Sequence, residues 1–299
     1  MIPSPTAIES YVIISPVKNE SDFIADTIES VLQQSFLPSE WVIVDDNSED
    51  ETPSIVRRYS KEIEWITLIE RKDNISERQG GAKVIRAFQH GYDCLSIEDF
   101  DFVVKLDGDL VLPTNYFEQI KLEFDSDAAL GMVGGICVVE KGGLLIPESS
   151  HSYHVRGAFK SVRQQCWHQI GGFRETYNWD SLDELSAMFF GWKTKVVDLR
   201  VHHRRITSGA YKKRIRIAVR DGVSAYKEGN GFRLLVFRTL VRLTFKPYML
   251  YSVLYFTGYV KEWLSQSTKE VDPDLASFIN EFHLNRIKNS ILHGLRKFS

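Results

Sequence analysis

The chain has 299 residues, enough at roughly 150 residues per domain for one large domain or a medium-sized domain with an appendage. Hydrophobic residues make up 43% and charged residues 26% of the sequence, which excludes a disordered, collagen-like or polytopic membrane protein. The formal net charge of −3 gives no support for nucleic-acid binding. The three cysteines form no CxxC pair, and the chain does not open with a basic segment and an apolar run, so we expect a cytoplasmic protein.

From residue 11 to about residue 205, short β-branched apolar runs alternate with polar, helix-like stretches. This alternation predicts an α/β fold of βαβ units around a largely parallel sheet. After a first strand at residues 11–15, a helix is predicted to begin at Ser21 or Asp22, because apolar residues then recur at helical spacing. The further predicted elements are strands at residues 41–45, 65–69, 102–106, 132–139 and 195–201 and a helix at residues 81–92.

Ligands of open α/β sheets bind at the carboxyl ends of strands, so the polar residues that follow each strand form the candidate site. The second predicted strand runs into a loop at residues 45–52 that opens with Asp45 and Asp46. A carboxylate at this position can accept hydrogen bonds from the imide or amine edge of a nucleobase. The alternative is that these residues only cap the helix that follows.

The fourth predicted strand ends in Asp107-Gly108-Asp109. Two carboxylates separated by one small residue can share a Mg²⁺ or Mn²⁺ ion that also holds diphosphate oxygens. An isolated Asp-Gly-Asp is commonly a plain turn. The position of this motif, after a buried strand and downstream of the Asp45-Asp46 loop, favours the metal site.

Two later clusters carry further candidates. Asp180 and Asp183 lie three residues apart before a helical stretch, and a carboxylate there can act as a general base for an incoming hydroxyl. The alternative is an acidic cap that complements the helix dipole. The last strand leads into His202 and His203, of which only one is expected to contact a metal, since neighbouring residues of a strand point different ways.

Together these clusters resemble the family-two glycosyltransferases, which are inverting enzymes with the GT-A nucleotide-sugar-binding fold, a Rossmann-like mixed sheet flanked by helices. The resemblance covers about residues 11–203. It rests on Ser15-Pro16-Val17-Lys18-Asn19-Glu20, the loop at residues 45–52, Asp107-Gly108-Asp109, Ile170-Gly171-Gly172-Phe173, and Trp179-Asp180 with Gly191-Trp192 following. One departure is that Trp179-Asp180 replaces the usual Glu-Asp pair of the family.

The resemblance implies a nucleotide-binding set in which Asp46 is the main acceptor for the base and Asp107 contacts the ribose or the metal. The set consists of Pro16, Val17 and Asp46 at the base, Glu20 beside the nucleotide, Arg78 or Lys83 near the diphosphate, and Asp107 with its neighbour Gly108.

The resemblance further implies a Mn²⁺ or Mg²⁺ ion held by Asp109 and by His203 or His202. Asp180 matches the position of the catalytic base, with Asp183 as the alternative. The residues implied on the acceptor side are Gly171, Gly172 and Trp179.

The implied reaction is an inverting, metal-dependent transfer of a sugar from a nucleoside-diphosphate sugar, with UDP favoured, to an acceptor hydroxyl. The acceptor is expected to be a glycan or a lipid-linked molecule of bacterial cell-surface glycan or polysaccharide synthesis. One alternative is a sugar-nucleotide nucleotidyltransferase, although residues 15–20 lack the glycine-rich loop that such an enzyme uses to hold a triphosphate. Another is a catalytically silent scaffold that binds nucleotide sugars.

We divide the chain into a catalytic domain at residues 1–205 and a basic helical region at residues 206–299. A helix is predicted around residues 236–246, with basic and apolar residues on separate faces. The basic residues are Arg238, Arg242 and Lys246, and the apolar ones are Val236, Leu240 and Leu243. The apolar, tyrosine-rich run at residues 247–260 is too short to span a bilayer.

These features favour contact with an anionic membrane that presents a lipid-linked acceptor, which would place the protein on the inner face of the cell membrane. The alternative is that the helices pack on the catalytic domain or on a second subunit. The sequence does not indicate an oligomeric state.

Overall fold

The computed structural model describes residues 7–71, 82–148, 151–205, 211–246 and 248–296. The chain divides into two compact units, Met1–Ile206 and Thr207–Ser299. The first unit holds the alternating segments and the polar clusters that follow them. The second unit holds the basic C-terminal region.

In the described part of the first unit, nine strands form one mixed sheet. The strands are β1 (Tyr11–Val17), β2 (Glu40–Asp45), β3 (Ile66–Glu70), β4 (Phe102–Leu106), β5 (Leu110–Val111), β6 (Leu130–Lys141), β7 (Leu144–Pro147), β8 (Phe159–Arg163) and β9 (Lys193–His203). Their order is β3-β2-β1-β4-β8-β6-β9-β5, and β7 pairs with β6. The pairings among β1 to β4 are parallel, whereas β8 runs antiparallel to both β4 and β6.

Helices cover both faces of this sheet. They are α1 (Ile24–Leu32), α2 (Thr52–Glu62), α3 (Ala82–Asp93), α4 (Tyr116–Ser126), α5 (Gln164–Ile170) and α6 (Trp179–Phe189). Strand β1 is buried along its whole length, with Tyr11 and Ile13 in one apolar core and Val12 and Ile14 in the other. Because successive side chains of a strand point to opposite faces, two cores require a helical layer on each side.

The α/β class expected from the sequence is confirmed, and every strand that the alternation predicts is present. The pattern does not indicate β5, β7 or β8. Strand β8 has no apolar run to reveal it, because it buries the cations Lys160 and Arg163. Helix α1 begins at Ile24, later than the predicted Ser21 or Asp22, because the N–H groups of Phe23 and Ile24 first donate to the carbonyl of Glu20 in a turn.

The second unit is helical in the residues that the structure describes. Its helices are α7 (Tyr211–Lys227), α8 (Phe232–Arg242), α9 (Met249–Leu264) and α10 (Pro273–Arg296). Helices α7 and α9 cross closely, since a Cβ on Gly222 would lie 2.0 Å from the carbonyl oxygen of Tyr255 and one on Gly258 would lie 2.3 Å from that of Val219. Among the described helices, none combines the length and the apolar character that a membrane crossing requires.

Candidate active site

The carboxyl ends of β1 and β2 lie side by side, with Val17 paired to Asp45. The backbone N–H of Asp46 donates to the carbonyl of Val17 at 2.8 Å, and Lys18 Nζ donates to the carbonyl of Asp46 at 2.9 Å. The Asp46 carboxylate is half-buried and lies 3.4 Å from Arg71 Nη1. Asp46 therefore stands at the edge of the sheet with a carboxylate that a ligand can reach, as the nucleobase hypothesis requires.

Asp45 has a different role from its neighbour. It is buried, and its Oδ2 accepts the N–H of Ser48 at 3.1 Å, which holds the loop at residues 45–52. Its Oδ1 is buried and has no hydrogen-bond partner within the described residues. Pro16 and Val17 are likewise buried at the end of β1, with the Val17 carbonyl already bonded to Asp46.

The loop after β2 also fixes the turn after β1. Asn19, at a φ of 54°, donates its N–H to Ser48 Oγ at 2.9 Å, and the N–H of Glu20 donates to Thr52 Oγ1 at 2.8 Å. Burial raises the pKa of Asp50, but hydrogen bonds from Thr52 and from Ser21 lower that pKa to about 2. The polar residues of this loop thus organise the turn that carries Glu20, beyond any role at the start of α2.

The Asp107-Gly108-Asp109 motif lies directly after β4. The carboxylate of Asp107 is paired with the buried Lys105 ammonium, and its N–H donates to the carbonyl of Ala158 at 2.8 Å. A Cβ on Gly108 would lie 2.9 Å from Val17 Cγ1, so only glycine allows the motif to approach the end of β1 this closely.

Asp109 is brought to His203 by strand pairing. Strand β5 starts one residue after Asp109 and pairs with the end of β9, with Leu110 opposite His203. The Asp109 Oδ2 lies 3.1 Å from His203 Nε2. Hydrogen bonds to Asp109 and to Cys137 raise the pKa of His203 to about 10.

His202 is the neighbour of His203 on β9, so its side chain points to the opposite face of the sheet. Burial and the nearby Arg204 lower the pKa of His202. Of the two histidines that the sequence leaves open, the structure brings His203 to Asp109.

Arg205 completes the cluster. Its guanidinium is paired with Glu20, and its Nε lies 3.6 Å from Asp109 Oδ2. Burial and the Asp109 charge raise the pKa of Glu20 to about 7, against the opposing effect of Arg205. We call Glu20, Asp107, Asp109, His203 and Arg205 the donor cluster.

The donor cluster suits a divalent cation by the chemistry of its atoms. Carboxylate oxygens and one imidazole nitrogen are ligands that Mn²⁺ accepts, and Mg²⁺ is held by the carboxylates. Burial is the main cause of the raised pKa of Glu20, and the charges of Asp109 and Asp107 add a repulsion that a cation would relieve. Within the described segments, no three acidic, histidine or cysteine side chains are already arranged as a ligand set, so binding would require side chains to turn and His203 to lose its proton.

A chain of contacts connects this cluster to the start of α6. Lys105 on β4 and Lys160 on β8 are register partners. Their ammonium groups lie 5.4 Å and 5.2 Å from the centroid of the Trp179 ring. Lys160 Nζ also donates to the backbone carbonyl of Asp180 at 2.6 Å. The two lysines and the buried tryptophan therefore fix the position of Asp180 relative to Asp107.

The two candidate bases on α6 differ in exposure. The Asp180 side chain is 34% exposed, and its Oδ2 lies 3.8 Å from His154 Nε2. Asp183 is buried beneath it, with Oδ2 at 3.7 Å from Lys160 Nζ. Burial raises the pKa of Asp183 well above its ordinary value despite Lys160, and the charges of Asp180 and Glu184 raise it further. Exposure favours Asp180 as the carboxylate that an acceptor can reach.

Sequence reasoning missed the residues that hold α6. Lys160 Nζ also lies 3.5 Å from Glu184 Oε1, and Glu184 accepts the N–H of Val155 at 2.7 Å and lies 3.0 Å from His154 Nδ1. We call Lys160, Asp183 and Glu184, together with the half-buried His154, the buried cluster. The one signal in the sequence is the presence of two cations, Lys160 and Arg163, in a five-residue segment that is otherwise suited to a strand.

The glycine pair serves the packing of Trp179. Gly171 is the left-handed C-cap of α5, and Gly172, at a φ of 77°, lies against the Trp167 ring. The chain then places Phe173 with its ring centroid 5.0 Å from that of Trp179. Both glycines thus orient the aromatic support of the site, and their role on the acceptor side stays a prediction of the resemblance.

The two cations expected near the diphosphate are only partly described. Lys83 lies half-buried in the first turn of α3. Arg78 lies outside the described residues.

The model of the family named Glycosyl transferase family 2 matches residues 12–189. The chain belongs to glycosyl transferase family 2. The match runs from β1 to the end of α6, so it includes all residues of the site described above except His202, His203 and Arg205, which lie beyond residue 189.

One curated relative is the putative teichuronic acid biosynthesis glycosyltransferase TuaG of Bacillus subtilis (strain 168), 36% identical over 80 residues. This match covers 27% of the chain and 32% of the relative, so it spans about a third of that protein.

Solved glycosyltransferases share the fold. The mannosyltransferase PcManGT from Pyrobaculum calidifontis, in complex with GDP-Man and Mn²⁺, has a TM-score of 0.56 at 20% identity over 94% of this chain and 82% of its own. The S. aureus protein TarS 1-349, in complex with UDP-GlcNAc, has a TM-score of 0.52 at 17% identity over 71% of this chain and 66% of its own. The expected GT-A fold is therefore confirmed.

Proposed function

We propose that the chain is an inverting, metal-dependent glycosyltransferase that moves a sugar from a nucleoside-diphosphate sugar to an acceptor hydroxyl. The observation that carries the proposal is a continuous set of contacts, made by two lysines and a tryptophan, that connects the carboxylate of Asp107 with the start of α6 at Asp180. Asp107 is paired with Lys105, both lysines lie against Trp179, and Lys160 holds Asp180. This link fixes a donor-binding site and an accessible base at a set separation.

Asp46 is proposed to bind the base of the donor. Its carboxylate accepts from the imide of uracil or thymine, or from the amine edge of guanine. Arg71 Nη1 lies 3.4 Å from this carboxylate and helps to orient it. We favour UDP on the resemblance to family-two enzymes, while the solved relatives bind GDP-Man in PcManGT and UDP-GlcNAc in TarS.

The donor cluster is proposed to receive the diphosphate. Asp109 and His203 would hold Mn²⁺ or Mg²⁺ with the help of Asp107, and the Mn²⁺ complex of PcManGT supports a divalent ion. Such an ion, when bound, neutralises the negative charge that develops on the leaving diphosphate. Arg205 is half-exposed beside this cluster, so its guanidinium can turn from Glu20 to a phosphate oxygen. Lys83 and Arg78 remain proposed diphosphate contacts.

Asp180 is proposed to act as the general base. An acceptor oxygen attacks the anomeric carbon, its proton passes to the Asp180 carboxylate, and the bond from the anomeric carbon to the diphosphate oxygen breaks with its electron pair on that oxygen. Attack from the face opposite the leaving group inverts the configuration. One catalytic carboxylate is enough, since the diphosphate leaves without protonation, whereas a glycoside hydrolase needs two.

The acceptor is proposed to be a hydroxyl of a glycan or of a lipid-linked carrier. The name of TuaG, which refers to teichuronic acid biosynthesis, supports a role in the synthesis of bacterial cell-surface glycans.

Calorimetric titration tests the donor half of this proposal. UDP, GDP and dTDP are titrated into the full chain with Mn²⁺ and with EDTA, beside an Asp109→Ala variant and an Asp127→Ala control, since Asp127 lies in a surface ion pair with Lys193. We expect one nucleotide to bind only with metal and Asp109→Ala alone to lose that binding. A chain that binds none of the diphosphates under either condition contradicts the proposal.

A further inference from the structure

Helix α8 exposes apolar side chains that an amphipathic helix of a soluble protein would bury. Phe232, Val236 and Leu240 recur at every fourth residue and are continued by Leu243 after the last turn. Phe232 is 69% and Leu240 is 58% exposed. The helix already packs on its own unit through other residues, because its neighbours Leu234 and Leu235 are buried. The exposed stripe is therefore additional to the packing face.

Helix α9 carries a second stripe of the same kind. Met249, Val253 and Phe256 are exposed at helical spacing, and Trp263 extends the row two turns further on. Met249 is 70% and Trp263 is 59% exposed. The core-facing side of α9 is filled by buried tyrosines such as Tyr255, so this stripe is likewise left over from packing.

The basic face that the sequence predicts on α8 is not simply solvated. Arg238 and Arg242 are half-buried, and the Arg242 guanidinium lies 4.2 Å from the centroid of the Tyr255 ring. Burial raises the pKa of Asp221, whereas Arg242 and Arg238 lower it, so both arginines act on an acidic group of α7. Arg238 and Arg242 are thus partly covered while Val236 and Leu240 are exposed, in addition to the packing face that Leu234 and Leu235 form.

The charge of residues 229–261 indicates what kind of partner the exposed stripes contact. Residues 229–261 contain five Arg and Lys residues and no Asp or Glu. Arg233 and Lys246 are exposed next to the apolar stripes. A second copy of the chain would bring like charge against like charge, which disfavours self-association here. An anionic lipid surface accepts both features, because apolar side chains enter the headgroup boundary while cations pair with the headgroups.

We propose that the α8–α9 surface, formed by the two exposed stripes with Arg233 and Lys246, docks the protein on an anionic membrane without crossing it. Trp263 and the exposed Tyr248 lie on this part of the chain, and such side chains favour the membrane interface. The 16 residues of α9 are fewer than a membrane span needs. This docking does not depend on the transfer reaction.

Vesicle flotation of the full chain tests the proposal. The probes are vesicles of phosphatidylcholine alone and vesicles that also contain phosphatidylglycerol, at low and at high salt. A Leu240→Glu/Met249→Glu double variant changes both stripes. Leu122→Glu is the matched control, because Leu122 is 52% exposed on α4 of the first unit. Arg233→Gln/Lys246→Gln removes only surface charge and so serves if the double variant fails to fold, as judged by circular dichroism.

We expect the unaltered chain and Leu122→Glu to float with the phosphatidylglycerol vesicles, less so at high salt. We expect each double variant to bind them about tenfold or more weakly. The proposal is overturned if the unaltered chain does not float with anionic vesicles, or if both double variants bind them as the unaltered chain does. It is also overturned if the surface proves to join two copies, as a dimer that Leu240→Glu/Met249→Glu converts to a monomer.

Discussion

The donor cluster and the buried cluster are both built from carboxylates and cations, yet they balance their charge differently. In the donor cluster, three carboxylates lie at the edge of the sheet, and the pKa of Glu20 rises to about 7 because of burial and its acidic neighbours. In the buried cluster, Lys160 lies between Asp183 and Glu184, and the pKa of Asp183 rises well above its ordinary value. The donor cluster reaches solvent through Asp107 and Arg205, whose side chains are 32% and 46% exposed, and we propose that it binds a cation there. In the buried cluster, burial instead favours the protonated form of Asp183.

The two clusters are therefore expected to have different roles, ligand binding for the donor cluster and positioning of α6 for the buried cluster. We propose that the donor cluster receives a nucleotide and a metal, because its Asp107 and Arg205 side chains are partly exposed. The buried cluster is closed, and it fixes the start of α6 through the 2.6 Å bond from Lys160 to the Asp180 carbonyl. Variants that remove one charge should therefore affect stability in the buried cluster and ligand binding in the donor cluster.

The largest expected effect is on stability, from Lys160→Met. The variant leaves Glu184 buried without its cation, which costs about 3–5 kcal/mol of unfolding free energy. The control is Lys193→Met, which breaks the exposed pair with Asp127 and should cost about 1 kcal/mol or less. Denaturant unfolding of both variants makes the comparison, and a loss in Lys160→Met no larger than in the control would remove the buried cluster from the account.

A smaller effect, on ligand binding rather than on stability, is expected when one of the two adjacent histidines is replaced. His203→Ala should raise the metal concentration needed for nucleotide binding by about tenfold or more, because it removes the imidazole beside Asp109. His202→Ala should leave that concentration unchanged. For the unaltered chain, metal should bind more tightly as pH rises toward about 10, since His203 must lose its proton to the metal. Equal effects of both variants in calorimetry would contradict this assignment.

The smallest effect is expected from Asp183→Asn, which, unlike Lys160→Met, should not lower the stability of the protein at alkaline pH. A folded-state pKa raised above the unfolded value of about 3.9 means that the folded protein binds the extra proton, so this contribution to stability declines as pH rises through the raised pKa. The amide stays neutral, so the variant should be less sensitive to pH and no less stable at alkaline pH. Thermal unfolding across pH measures this, and a variant that loses stability most at alkaline pH would refute the protonated carboxyl.

The residues that sequence reasoning finds are those that follow a recognisable strand. Asp46, Asp107 and Asp109 each follow an apolar strand, and His203 ends one, so the rule on strand ends is enough to mark them. The choice between His203 and His202 was not available, because it depends on the short β5 strand pairing with β9.

The support of the site could not be predicted for a related reason. Lys160 reaches Asp180 only because β8 runs antiparallel beside β4, a pairing between segments more than 50 residues apart that no local pattern encodes. The exposure of Val236 and Leu240 was one of two possibilities that the sequence left open, since the same pattern fits a face that packs on the protein until the burial of Leu234 and Leu235 is known.

The central claim is that Asp180 acts as the general base of the transfer and takes no part in binding the donor nucleotide. Two quantities are measured for Asp180→Asn and Asp183→Asn. The first is the binding of the preferred nucleotide with Mn²⁺. The second is the rate at which that nucleotide is released from its sugar donor, with water or added glycan as acceptor. The account predicts that both variants bind the nucleotide as the unaltered chain does. It predicts that Asp180→Asn releases it about 10²- to 10⁴-fold more slowly and that Asp183→Asn remains active. Full activity of Asp180→Asn would contradict the account.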